Sequence, residues 1–190
     1  MAVKFNATNI IDSKVNLDSY SSSDGFLGFC NSKVGWDDER CINVFIKMLS
    51  FFIPDETLVS SIRIYGDLKD HAEMYELSDK DIQVRDRLVK SGVILNVDSD
   101  DKADSFHFEG NISGDLLKDF VLYQSSIGEL SYHGFLTSED SGLIIYPHDD
   151  CGLGFICLEK KKITNIIEKL KEYAECYSDI LQFTIISNAK

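Results

Sequence analysis

Apolar positions recur along the chain with two periods, one helical and one extended. Between residues 38 and 53, Cys41, Phe45, Met48 and Phe52 fall on one helical stripe, widened by Ile42 and Leu49. Asp37 or Asp38 supplies the N-cap, Glu39 complements the positive end of the helix dipole, and Pro54 ends the run. A core helix is predicted over 38–53. A second is predicted over 79–90, with Ser78 as N-cap, Asp81 in the third position of a capping box, and Leu77 with Ile82 as a hydrophobic staple. Ser91-Gly92 terminates it. A third, over 114–124, begins with an Ile112–Leu117 staple and turns Leu116, Leu117, Phe120 and Val121 to one side. The most regular pattern runs over 161–176, where Ile163, Ile166, Ile167, Leu170, Tyr173, Ala174 and Tyr177 keep the helical rhythm.

Extended patterns fill the intervals. Residues 3–20 alternate loosely and are expected to hold one irregular strand. Strands are also read at 26–30, 62–65, 93–97, 105–109, 130–136, 143–146, 153–158 and 180–187. The pair 93–97 and 105–109 reads as a hairpin around an acidic loop, and 130–136 with 143–146 as a hairpin through the 137–142 turn. Consecutive apolar residues in the 143–146 and 153–158 runs imply cover on both faces. Gly154, inside that pattern, is expected to admit closely packed backbone or an aromatic ring. Helices interleave with strands, without linker or repeat. The expected fold is α/β of the α+β type: a single layered domain over residues 1–190, with a mixed or largely antiparallel sheet packed against about four helices.

Charge narrows the partners. The chain has 32 Asp and Glu against 19 Lys and Arg, a formal charge of -13. A general nucleic-acid binder of that balance would repel its ligand, whereas a basic protein would be attracted. The imbalance is uneven. Residues 1–54 carry six acids and five bases, residues 55–119 sixteen and eight, and residues 119–159 seven acids with no Lys or Arg. Asp12 and Asp18 interrupt the first segment, which does not read as a signal peptide, and no run is long enough to span a membrane. Five cysteines without a Cys-x-x-Cys pair fit free thiols in a reducing cytoplasm better than disulfides or zinc. No metal and no cofactor are expected.

Candidate chemistry is sparse. His71, His107, His133 and His148 show no ligand spacing. His148-Asp149-Asp150 offers a base beside two carboxylates, with His133 on a neighbouring strand and Cys151 next in sequence. This is the basis of an alternative reading as a small hydrolase. The competing explanation is an ordered Asx-type turn over 149–152. Cys30 or Cys151 as a nucleophile would require an adjacent histidine. The acidic run Asp98, Asp100, Asp101, Asp104 departs from a calcium loop because Lys102 and Ala103 take the fifth and sixth places. Gly152-Leu153-Gly154 lacks the surroundings of a phosphate loop.

The run Ser141-Gly142-Leu143-Ile144-Ile145-Tyr146-Pro147-His148-Asp149-Asp150-Cys151-Gly152-Leu153-Gly154-Phe155, followed by the helix at 164–177, resembles the small acidic immunity proteins of bacterial contact-dependent growth inhibition and related polymorphic toxin systems. The resemblance implies a cytoplasmic protein that binds and neutralises a cognate toxin domain, often a nuclease. It transfers no individual binding residue. On charge and loop position, the expected contacts with such a basic partner are Asp98, Asp100, Asp101, Asp104, Glu139, Asp140, Asp149 and Asp150. A generic acidic protein-interaction domain is the remaining alternative.

Overall fold

A computed structural model describes residues 6–35, 38–53, 59–64, 78–94, 106–126, 132–138, 140–148 and 151–186. The described strands are β1 (Phe26–Ser32), β2 (Val59–Ile64), β3 (Phe106–Asn111), β4 (Tyr132–Thr137), β5 (Leu143–His148), β6 (Gly152–Cys157) and β7 (Leu181–Ile185). They form one sheet in the order β3-β2-β4-β5-β6-β1-β7, and every neighbouring pair runs antiparallel. The described helices are α1 (Ala7–Lys14), α2 (Glu39–Phe52), α3 (Asp79–Lys90), α4 (Gly114–Ser126) and α5 (Ile163–Cys176). The fold is α+β, one antiparallel sheet packed against helices.

Local sequence explains most of the helices. In α2 the predicted stripe is buried, and Asp38 caps the first turn by accepting from the Arg40 N–H at 2.9 Å. In α3 the Ser78–Asp81 capping box is complete in both directions. The α5 helix starts at Ile163, later than expected, because Lys160–Lys162 form a 3₁₀ turn first.

Two expectations are corrected. The first segment holds a helix, not an irregular strand. Asn6 caps α1 by accepting from the Asn9 N–H at 2.7 Å, and the Glu109 carboxylate of β3 accepts from the Thr8 N–H at 2.9 Å. That carboxylate satisfies a donor of the first turn and complements the dipole from across the fold. The second correction concerns the start of the strand expected at 93–97, whose hairpin with β3 lies outside the described residues. Val93 and Ile94 lie in a bend after α3, and 95–105 fall outside the described residues. The described partner of β3 is β2, in the register Ser61 with Glu109, and β3 is the last of the described strands on that side.

The sheet has a different core on each face. One face meets α2, α3, α4 and α5 through Leu27, Cys30, Leu136, Leu143, Ile145, Leu153 and Phe155. The other meets α1 and a 3₁₀ turn at Tyr20–Ser22 through Phe26, Phe135, Ile144, Tyr146 and Ile156. Every residue of β5 and β6 is therefore buried, as their uninterrupted apolar runs imply.

A bulge in β1 serves both cores. The register with β6 shifts between Phe26 and Gly28. Phe26 and Phe29 consequently face the same core although they are three positions apart, while Leu27 and Cys30 face the other. Gly28 sits at φ +137, and a β-carbon there would stand 2.0 Å from the Thr184 carbonyl oxygen of β7. Only glycine satisfies both demands.

Candidate functional site

Antiparallel register gives the sheet two distinct ends. Ile64 lies opposite Tyr132, Arg63 opposite Phe106, His148 opposite Gly152, and Ser32 opposite Leu181. The end of β2, the starts of β3 and β4, and the β5–β6 turn thus lie together at one end. The β4–β5 turn and the start of α5 lie at the other.

His148 stands at the first end, on the α1 side of the sheet. It is 5% exposed. Its ring packs edge-on to Phe29 with centroids 4.8 Å apart. A β-carbon on Gly152 would be 2.6 Å from His148 Nε2 and 2.6 Å from Asn31 Oδ1. The imidazole and the Asn31 amide therefore converge over the glycine. Next to it, the Tyr146 ring lies over Gly154 and meets Tyr20 edge-on at 4.4 Å. Gly154 admits an aromatic ring, as its position in an apolar strand implied. The alternating glycines of β6 form a trough, and Tyr146 and His148 of β5 fill it from one side while Phe29 fills it from the other. His133 lies opposite Arg63 of β2, and the register between β4 and β5 joins Leu136 to Ile145 and Thr137 to Ile144. Asp149 and Asp150 lie outside the described residues. The described surroundings of His148 are the Phe29 and Tyr146 rings, the Asn31 amide and strand backbone. Cys151 adopts φ +53 in the turn, and its carbonyl accepts from the Ser32 N–H at 2.7 Å.

Of the expected contact residues, the structure describes Asp140. Asp98, Asp100, Asp101, Asp104 and Glu139 also lie outside the described residues. Asp140 is exposed in the β4–β5 turn, at the end away from His148, and its carbonyl accepts from Lys162 Nζ at 3.3 Å. It borders a cleft of about 370 Å³ whose walls include Phe51, Phe52, Ile166, Lys161, Lys162 and Lys169. Glu159 bridges Lys161 at 3.1 Å and also pairs with Lys162. Those ammonium groups, Lys162 foremost, hold its carboxyl below the usual carboxylate range. Asp140 is therefore part of a lysine-rich end. Sequence reasoning missed this grouping because Phe51 and Lys169 come to Asp140 only through the packing of α2 and α5.

The thiol reading is also constrained. Cys30 is fully buried, and burial together with neighbouring Cys41 pushes its thiol up to about 12. Such a thiol is not a nucleophile near neutral pH. No disulfide joins the five cysteines. Among the described residues no group of three His, Cys, Asp or Glu side chains could hold a metal ion, and no helix is long and apolar enough to cross a membrane.

The charge itself is distributed unevenly. The described residues carry 17 acids and 15 bases, and the remaining segments 15 acids and 4 bases. Four of those segments, 65–77, 95–105, 127–131 and 149–150, follow Ile64 and His148 or precede Phe106 and Tyr132 in the chain, all four of them residues of the His148 end, and contain eleven acids against Lys69 and Lys102. Comparison of the chain with protein-family models, with curated proteins and with solved structures finds no match.

Proposed function

We propose that the protein is an inhibitory binding protein whose acidic sheet end captures a basic protein domain, with a toxin of nuclease type as the target. The observation that carries this reading is topological. Four connections bearing eleven acids and two bases leave the sheet at the same end, whereas the described body is close to neutral. Clustered charge of one sign steers a partner of the other and raises its association rate. A nuclease groove is positive because it holds phosphates, so a carboxylate-rich surface competes for the same electrostatic field. Lysines 160–162 and Lys169 at the opposite end support the reading further, since they give the molecule a polarity that orients an approaching cation.

The test is co-expression with the product of the adjacent gene, on the expectation that it is toxic alone. Protection of growth and a one-to-one complex that weakens with salt are expected. Replacing Asp98, Asp100, Asp101 and Asp104 by Asn should slow association, whereas Asp140→Asn should leave it almost unchanged. Failure to form a complex or to protect would overturn the proposal, as would equal sensitivity to Asp140→Asn.

A further inference from the structure

Strand β7 is the last of the described strands on its side of the sheet, and no described strand covers its outer edge. The Ile186 N–H donates to the Leu27 carbonyl at 3.3 Å, and the Lys33 N–H donates to the Ile180 carbonyl at 2.6 Å. These bonds turn the even-numbered residues of β7 toward β1. Phe183 and Ile185 therefore direct both backbone N–H and C=O outward, as does the carbonyl of Leu181, whose N–H donates to the Tyr177 carbonyl at 2.8 Å. Among the described residues no strand pairs with this edge.

The edge also lacks the usual protection. Soluble proteins blunt free strands with charge, proline or bulges, because an uncovered row of donors and acceptors recruits another strand. The sequence Leu181-Gln182-Phe183-Thr184-Ile185 contains none of the first two, in a chain that is 27% charged. Its ladder to β1 is regular from Leu181 to Ile185. Ile185 is 37% exposed, among the most exposed large apolar side chains described. Beside the strand, a cavity of about 220 Å³ opens between α5 and β7, lined by Lys171, Ala174, Glu175, Leu181 and Phe183 among others. Lys171 and Glu175 are exposed and four residues apart, in the order that helices favour less, and form no ion pair with each other among the described residues.

We propose that β7 pairs antiparallel with β7 of a second copy about a two-fold axis at Phe183. Each Phe183 then exchanges backbone N–H and C=O bonds with its counterpart, and each Ile185 N–H donates to the Leu181 carbonyl of the other copy. The occupant is identified by self-complementarity. Leu181, Phe183 and Ile185 share the α5 face, so the two-fold sets apolar side chain against apolar side chain along the whole seam. The two α5 helices run side by side in opposite directions, with Lys171 of each copy facing Glu175 of the other. Both charges, which form no ion pair among the described residues, gain a partner, and the exposed Ile185 is covered.

Sedimentation equilibrium on the full chain tests this. The expected mass is about 43 kDa, twice the 21.5 kDa of one chain, at micromolar concentration. Ile185→Pro removes an outward N–H that β1 does not use and should give a monomer with an unchanged circular dichroism spectrum. Lys171→Glu and Glu175→Lys should each weaken the dimer by about tenfold or more, since each sets like charges together twice. Mixing the two variants should restore it, because the new acid on one chain meets the new base on the other. A wild type that stays at 21.5 kDa overturns the proposal and leaves the edge to an extended strand of another protein. A dimer indifferent to Ile185→Pro and to both charge reversals overturns it equally.

Discussion

The Tyr146 ring lies over Gly154 of the neighbouring strand, so close that a β-carbon on Gly154 would stand 2.1 Å from Tyr146 Cζ. Tyr146 is 1% exposed and wedged among Tyr20, Phe29 and Phe135, so it has no room to retreat. Gly154→Ala should therefore destabilise the fold by about 2–3 kcal/mol, the upper range for overpacking. Thermal melts should show a fall of roughly 4–12 °C. A change below about 0.5 kcal/mol, within the range of an ordinary surface substitution, would mean the ring is not held there.

Arg87 and Asp119 join α3 to α4 through two bonds, Nε to Oδ2 at 2.5 Å and Nη2 to Oδ1 at 2.7 Å. Their surroundings differ: the arginine side chain is 53% exposed and the aspartate 9%. Removing the arginine strands a nearly buried carboxylate, whereas removing the carboxylate leaves a cation that water can solvate. Arg87→Ala should cost about 2 kcal/mol and Asp119→Asn about 1 kcal/mol, measured by urea unfolding. The reverse order would refute this account of the pair.

Glu159 titrates below its ordinary 4.5 because Lys162, and then Lys161, favour the ionised form. A depressed folded pKa adds stability above the ordinary value, and that contribution is lost as pH falls through the lower folded midpoint. Carboxyl carbon NMR should place the Glu159 midpoint under 4.5, and Lys162→Met should move it upward. An unmoved midpoint in that variant would show that the pairing is not maintained in solution.

Thiol accessibility gives an independent check on the core. Cys176 is exposed, while Cys30 and Cys41 are fully buried on the α2–α5 side of the sheet. At pH 8 a thiol at about 12 is ionised in about one molecule in ten thousand. A maleimide or aromatic disulfide reagent should label Cys176 within minutes and reach Cys30 and Cys41 only at the rate of unfolding. Rapid labelling of Cys30 in native protein would contradict the packing of β1 beneath α2.

Legibility in the sequence followed the range of the interactions. The α2 stripe, the Ser78–Asp81 box and the α5 rhythm depend on neighbours within a turn or two, and they were readable. The α1 helix depends in part on Glu109, a residue 101 positions from Thr8, so its local pattern alone read as extended. Strand β3 was legible as a strand, but its pairing with β2 depends on the arrangement of the whole sheet. The same holds for the acids. Their number was plain, yet Asp140 falls among lysines because register sends the β4–β5 turn to the opposite end from His148. The trough under Tyr146 and His148 left a partial signal in Gly152 and Gly154. Phe29 and Asn31, which complete it, carried none.

The bulge at Gly28 makes β1 two half-strands of opposite phase. In a saturation mutagenesis of residues 26–32, tolerance for polar side chains should therefore switch parity at the glycine instead of alternating throughout. The ladder to β7 runs from Gly28 to Ser32, so the second half is gripped from both sides, while Phe26 is registered against Ile156 of β6 alone. A one-residue deletion at 28 would thus be absorbed by the first half. The bulge would close: Phe26, still opposite Ile156, would keep the aromatic side and Leu27, now opposite Phe155, the helices of α2 to α5, so that the strand would alternate throughout and the switch of parity would vanish.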